Sequence, residues 1–187
     1  ALIIGIVIPA AYILLRYFTK NTIDSKDDLE KLSSAPIIGF IPNFSADSNR
    51  LVVFDKPRSQ ISETFRSLRT NIKYILGEET NEGKIILITS SLPNEGKSLI
   101  SVNVASIFAI SGKKTLLIGY DLRKPALHKI FGLNATHGLT SYMVGRYELD
   151  DVLQATEFNN FDVLVAGPVP PNPSELIDSD KNRALLK

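Results

Sequence analysis

Apolar positions recur along this chain with two different periods, and the change of period divides it. Between Lys56 and Glu79, "KPRSQISETFRSLRTNIKYILGEE", the apolar residues Ile61, Phe65, Leu68, Ile72 and Ile75 are spaced four, three, four and three apart, which predicts an amphipathic helix. At about 100° per residue they gather on one side, while Glu63, Arg66 and Arg69 fall within an arc of about 120° on the other. From Lys84 the pattern becomes a short continuous run, "KIILITS", expected for a strand buried on both faces. "KSLISVNVASIFAIS" then has helical length and spacing and stops at Gly112, and "KKTLLIGYD" reads as a second buried strand. Strand, loop, helix and strand within about forty residues is the pattern of a parallel crossover unit. Further on, "LRKPALHKIFGL" and "HGLTSYMVGRYELDDVLQAT" predict short helices and "NFDVLVAG" a third strand. Asn172, Pro173 and Glu175 mark the start of a last helix, expected to continue to Lys187.

The first residues follow another rule. Ala1 to Leu15, within "ALIIGIVIPAAYILLRYF", carries no charge, and about 20 apolar residues make a membrane-crossing helix, so residues 1–18 are expected to be the end of such a span. Tyr12, Tyr17 and Phe18 near its edge, with Arg16 and Lys20 after it, predict that the remainder lies in the cytoplasm. Pro9 is tolerated in a membrane helix more readily than in a soluble one. Residues 19–50 read as a juxtamembrane linker holding a short helix near Asp27 to Leu32, a short strand in "PIIGFIP" and a loop in "NFSADSNR". Residues 51–187 are expected to form the main domain, incomplete at its C-terminal end.

Composition narrows the function classes. A formal charge of +1 on 187 residues, without a dense Lys/Arg block, argues against a nucleic-acid partner. With no cysteine there are neither disulfides nor thiolate metal sites, and His128 and His137 are too far apart in sequence for a histidine-rich one. Structural or solvent-exposed roles are expected for both.

The chemistry concentrates at "SSLPNEGKS", Ser90 to Ser98, in the turn from a strand into a helix. A helix N-terminus offers unpaired N–H groups and partial positive charge, so such a turn is a natural anion site. Gly96 lets the backbone pass close to a phosphate, Lys97 can reach the β- and γ-phosphates, and the Ser98 hydroxyl can ligate Mg²⁺. Asn94 tolerates left-handed backbone. A second group lies at "LLIGYDLRKP": Asp121, just past a strand end, can hold Mg²⁺ or accept a proton from an attacking hydroxyl, and Arg123 can meet phosphate. On pattern alone, the charges of Glu63, Arg66 and Arg69 are equally explained as a solvated helix face.

"SSLPNEGKS" followed by "NVA", then "LLIGYDLRKPALHKIFG" and "GPVPPNPSELI", all after "ETFRSLRTNI", resembles the bacterial tyrosine kinases of capsule and exopolysaccharide export. The resemblance covers nearly the whole chain. It implies an α/β fold, a P-loop NTPase-type parallel sheet flanked by helices and preceded by the end of a transmembrane helix. It makes the serine at Ser91, where a phosphate loop usually has glycine, and Pro93 family traits, and places Ser91, Pro93, Asn94, Glu95, Gly96, Lys97, Ser98 and Arg123 at the nucleotide. Lys97 and Ser98 are implied to bind ATP and Mg²⁺, with Ser98 and Asp121 on the metal and Lys97 and Asp121 catalytic. The family's paired aspartates map onto Gly119 and Asp121, so the first acid is missing here. Its ExxRxxR motif maps onto Glu63, Arg66 and Arg69 and implies a homo-oligomeric ring through that helix. Implied partners are the tyrosine-rich tail of a neighbouring subunit and the polysaccharide export machinery, at the bacterial inner membrane with the kinase domain cytoplasmic. The tail and a later metal-binding aspartate are expected beyond Lys187; the six tyrosines present are dispersed. Two alternatives stand beside the kinase: a non-catalytic co-polymerase subunit with a regulatory ATP site, which Gly119 keeps open, and a partition-type ATPase, which the lack of an early lysine at positions 90–92 disfavours.

Overall fold

The computed structural model describes residues 2–18, 26–44, 50–77 and 83–186. It divides into two compact units, Ala1–Ile37 and Ile38–Lys187.

The first unit holds α1 (Leu2–Phe18) and α2 (Lys26–Leu32). α1 contains Pro9 and places Arg16 in its last turn. Its 17 residues make a helix of about 25 Å, short of the roughly 30 Å hydrocarbon core. Among the described residues, no helix is long and apolar enough to cross a membrane. Val7, Tyr12, Ile13, Leu14 and Leu15 on α1 are nevertheless exposed. Lys20, in the expected linker, lies outside the described residues.

The second unit runs α3 (Val52–Asp55), α4 (Gln60–Leu76), α5 (Lys97–Ile110), β1 (Thr115–Ile118), α6 (Leu127–Phe131), α7 (Leu139–Met143), α8 (Leu149–Val152), β2 (Gln154–Ala155), β3 (Phe161–Leu164), α9 (Pro173–Ile177) and α10 (Asp180–Leu185). The sheet order is β1-β3-β2. β1 and β3 are parallel, with Thr115 opposite Phe161 and Ile118 opposite Leu164, while the short β2 is antiparallel to β3. The sheet is therefore small and mixed rather than purely parallel.

α4 forms as the spacing predicts. Ser59 caps it by accepting from the Ser62 N–H, and it stops at Gly77, whose φ of +75° suits glycine. Phe65, Leu68 and Ile72 are buried against α5 residues Val104 and Ile107, with Val53 of α3, while Ile75 stays exposed. α5 is buried on two sides. Its Val102, Ala105 and Ala109 meet the sheet at Leu117, Phe161, Val163 and Val165, forming a second cluster. Past Asp162, the run from Val163 to Ala166 alternates faces: Leu164 and Ala166 point the other way and join Leu139, Tyr142, Met143 and Val152 in a third. A β3 buried on both faces explains the unbroken apolar run "VLVA".

Three expectations are corrected. Residues 84–90 form no strand: among the described residues β1 pairs only with β3, and Ile85, Ile86 and Leu87 are exposed, so this run has no ladder to join. "PIIGFIP" is not a strand either. Its residues Ile38 and Gly39 pack on α4, where the Asn71 side chain donates to the Ile38 carbonyl at 2.7 Å and a Cβ added at Gly39 would sit 2.8 Å from Leu68 Cδ1. The last helix is two. Asn172 does not cap the backbone but donates to Glu175 at 3.1 Å; α9 ends at Ile177, and Ser179, in extended conformation, caps α10 by accepting from the Asn182 N–H.

Candidate functional site

α5 is the element that carries the site. Fourteen residues long, it begins directly after Gly96, whose φ of +89° places it in left-handed conformation at the N-cap. Asn94 is left-handed too, at φ +67°. Two such residues bend the chain back on itself between the exposed Ser91 to Glu95 segment and the half-buried start of the helix. No atom lies within 4 Å of where a Gly96 Cβ would stand, so the loop is open on that side.

The donors of this loop already hold carboxylates. The Leu92 N–H donates to Glu95 Oε2 at 3.0 Å, and Lys97 Nζ lies 3.2 Å from Asp121 Oδ2. Glu95 and Asp121 thus place carboxylate oxygens on donors of the loop and of the first residue of α5. Asp121 is held by β1 and the turn after it. Its other oxygen accepts from the Lys124 N–H at 2.9 Å and the Arg123 N–H at 3.3 Å, an Asx-type turn that locks the carboxylate. Partial burial alone would raise the Asp121 pKa. The Lys124 amide, the hydrogen bond and charge of Lys97, and the Arg123 amide outweigh it and hold the carboxyl below the ordinary aspartate value.

Of the expected site residues, Lys97 and Asp121 come together, with Ser98 beside Lys97 at the start of α5. Ser91, Pro93 and Arg123 are exposed around the same loop pair. Gly119 ends the sheet: its N–H donates to Leu164 O at 2.8 Å, and an added Cβ would meet Ala166 N at 3.1 Å and Leu127 Cδ1 at 3.3 Å. Glu63, Arg66 and Arg69 lie on α4 and find partners within the chain. Arg66 pairs with Glu63 and donates to the Pro57 carbonyl at 2.7 Å, while Arg69 donates to Ile107 O at 3.3 Å near the C-terminus of α5. His137 stacks on Tyr147 with ring centroids 4.3 Å apart, and His128 is half-buried on α6.

Three features escaped the sequence. Asn103, fully buried on α5, donates to the carbonyls of Arg50 and Leu99, each at 2.8 Å, and accepts from the Val53 N–H at 2.9 Å. It ties the chain before α3, and α3 itself, to α5; its polar place in an apolar run was the available signal. Tyr120, beside Asp121, donates to the buried Asn182 side chain, linking the Asp121 loop to α10. Burial raises the Tyr120 pKa, and the Asn182 bond opposes that only in part. Finally, Arg50, Lys124, His128 and Lys129 line a cleft of about 730 Å³, with Pro125, Ala126 and Ile130.

No protein-family model matches the chain. It is 47% identical over 131 residues to CapB of Staphylococcus aureus, which covers 70% of this chain and 57% of that protein. To the tyrosine-protein kinase YwqD of Bacillus subtilis it is 43% identical over 129 residues, 69% of this chain and 54% of YwqD. The chain thus spans about half the length of these curated relatives. Among solved structures, the kinase domain of the Escherichia coli tyrosine kinase ETK superposes with a TM-score of 0.79 at 32% identity, covering 88% of this chain and 68% of that one. The chimerical protein CapA2B2 gives 0.76 at 40% identity, covering 86% and 68%.

Proposed function

The chain belongs to the bacterial tyrosine kinases, and on that premise we propose that it is part of an ATP-dependent protein-tyrosine autokinase regulating the chain length and export of a capsular or exopolysaccharide. The observation that carries the reading is the approach of Lys97 to Asp121 at the N-terminus of α5.

The residues present fit ATP and Mg²⁺. A left-handed glycine, a helix N-terminus and a lysine suit polyphosphate, and a hydroxyl with a carboxylate suits a cation that keeps several waters and takes phosphate oxygens as further ligands. Lys97, the loop amides and the segment Ser91, Pro93, Asn94, Glu95 and Gly96 would hold the phosphates, with Arg123 alongside; Ser98 and Asp121 would hold Mg²⁺. Bound ATP–Mg²⁺ supplies the transferable phosphoryl group and the charge that neutralises it. Lys97 serves by turning from Asp121 to phosphate oxygen, a point charge placed where negative charge develops. Asp121, kept ionised by its amide donors, would hold the metal and position the incoming tyrosine hydroxyl more than deprotonate it, since such a carboxylate is a weak base. Gly119 leaves that metal shell one carboxylate short.

The acceptor in this proposal is a tyrosine-rich tail of a neighbouring subunit. A ring would use the α4 face of Glu63, Arg66 and Arg69, where Glu63 is the most exposed. Placement at the inner membrane, with the kinase portion cytoplasmic and α1 ending a membrane anchor, is supported by the exposed apolar side chains of α1 and by Arg16 in its last turn. Replacing Lys97 with Met in the full-length gene product is expected to lower phosphotyrosine formation at least about a hundredfold. Undiminished labelling would overturn the kinase assignment. Gly119 favours one second reading, a co-polymerase subunit whose ATP site controls assembly only; ATP-dependent assembly without phosphotyrosine would select it.

A further inference from the structure

The cleft lined by Arg50, Lys124, His128 and Lys129 is assigned no role by the phosphate loop. Arg50, Lys124 and Lys129 are exposed and His128 is half-buried; among the described residues none of the four has an ion-pair partner, and no carboxylate lines the cleft. Unpaired cations normally spread apart on a surface carrying nearly equal numbers of both signs. Here they converge from two distant parts of the sequence, on backbone that is held in place at Arg50 and Lys124. The Arg50 carbonyl is held by the buried Asn103 amide at 2.8 Å, and the Lys124 amide is bound to Asp121 at 2.9 Å.

The second contact sets the cleft's relation to the candidate active site. Lys124 stands at the far end of a tight turn that starts at Asp121, and such a turn brings its end residues within about 7 Å. The floor of Pro125, Ala126 and Ile130 is apolar and half-buried, and His128 is the one ring among the residues lining the cleft. An open groove with an apolar floor and a cationic rim suits an extended polypeptide carrying acidic side chains.

The geometry points to this cleft as the docking site for an acidic segment flanking the acceptor tyrosine. The inference rests on the kinase reading and names the substrate class of the same site. With the tyrosine hydroxyl at Asp121, an extended chain advancing about 3.3 Å per residue brings acidic side chains over Lys124 and Lys129 at roughly two to four residues from the tyrosine. Specificity then comes from charge beside the reacting residue, so acceptors with lysine there are poor substrates.

The test uses the full-length gene product and three tyrosine peptides whose residues two to four places from the tyrosine, on both sides, are glutamate, alanine or lysine. The glutamate peptide is expected to have the lowest KM. The variant Lys129→Glu should raise that KM roughly threefold, leave kcat and the KM for ATP within twofold, and improve the lysine peptide. Arg50→Glu, from a different segment, should act in the same direction. Anisotropy of a fluorescent glutamate peptide, measured without nucleotide, should show the same loss of binding and a strong salt dependence. Equal binding and equal turnover of the three peptides, in wild type and variants alike, overturns the cleft assignment and leaves the kinase reading standing. Selective binding without labelling of any peptide overturns the kinase reading and leaves the cleft as an acidic-peptide site.

Discussion

Replacing Asn103 with alanine removes a clamp that three parts of the chain share. The amide reaches the Arg50 and Leu99 carbonyls and receives the Val53 N–H, with the side chain and Val53 both at 0% exposure. Each such bond contributes about 1 kcal/mol net, and leaving a buried N–H without a partner costs about 1–3 kcal/mol. The Leu99 carbonyl keeps its helical partner and Arg50 can turn to water, so the orphaned Val53 N–H dominates. The total comes to about 3 kcal/mol. In a chain of 187 residues this lowers Tm by about 6–12 °C. Urea unfolding of Asn103→Ala against wild type measures it directly, at unchanged m-value. Acidic-peptide binding should weaken in step, because the backbone beneath Arg50 loses its anchor. A stability change under about 1 kcal/mol would refute the reasoning, since it would mean that α3 and α5 are held by apolar packing alone.

A Cβ at Gly138 would stand 2.3 Å from Val165 O and 2.6 Å from Gly167 N, so Gly138→Ala is expected to destabilise by about 3 kcal/mol or more in urea unfolding; a loss below about 1 kcal/mol contradicts the contact. The Asp121 pKa is lowered on folding, so its contribution is present above the ordinary value of 3.8 and is lost as pH falls through the lower folded value. A carboxyl NMR titration should give a midpoint below 3.8, and a midpoint at or above it rejects the Lys97–Asp121 latch. Gly119→Asp needs Ala166 and Leu127 to yield by a few tenths of an ångström, at about 1 kcal/mol, and should raise kcat of the full-length protein by adding a carboxylate to the proposed Mg²⁺ site; an unchanged or lower kcat refutes that proposal.

What the sequence revealed depended on whether the cause was local. α4 was readable because its 3.6-residue stripe is written in nearby residues, while its Ser59 and Gly77 ends emerged from the structure. The α5 start, β1 and β3 were readable for the same reason, and so was the left-handed Asn94. Residues 84–90 failed as a strand because a strand exists only through a neighbour, and no local pattern says whether β1 offers its second edge. Asn172, Pro173 and Glu175 marked the α9 start correctly, yet Ser179 ended the run by capping a new helix, where a competing local signal won. At the site, Lys97 and Asp121 were chosen separately and meet at 3.2 Å. The Asn103 clamp and the convergence of Arg50 on Lys124 join residues dozens of positions apart, so only the folded chain brings them into view.

In the nucleotide site proposed above, the Glu95 and Asp121 carboxylates held on its own donors would act as an internal competitor. Because that competitor is part of the chain, its effective concentration is fixed by geometry and cannot be diluted away. Any ligand's measured affinity is its intrinsic affinity reduced by the fraction of time the loop stands open. A singly charged anion gains little by displacing a carboxylate of equal charge. A polyphosphate arriving with its counter-cation replaces both carboxylates at once and gives Asp121 a new partner. In that proposal the loop would discriminate by charge number before any base or sugar is touched.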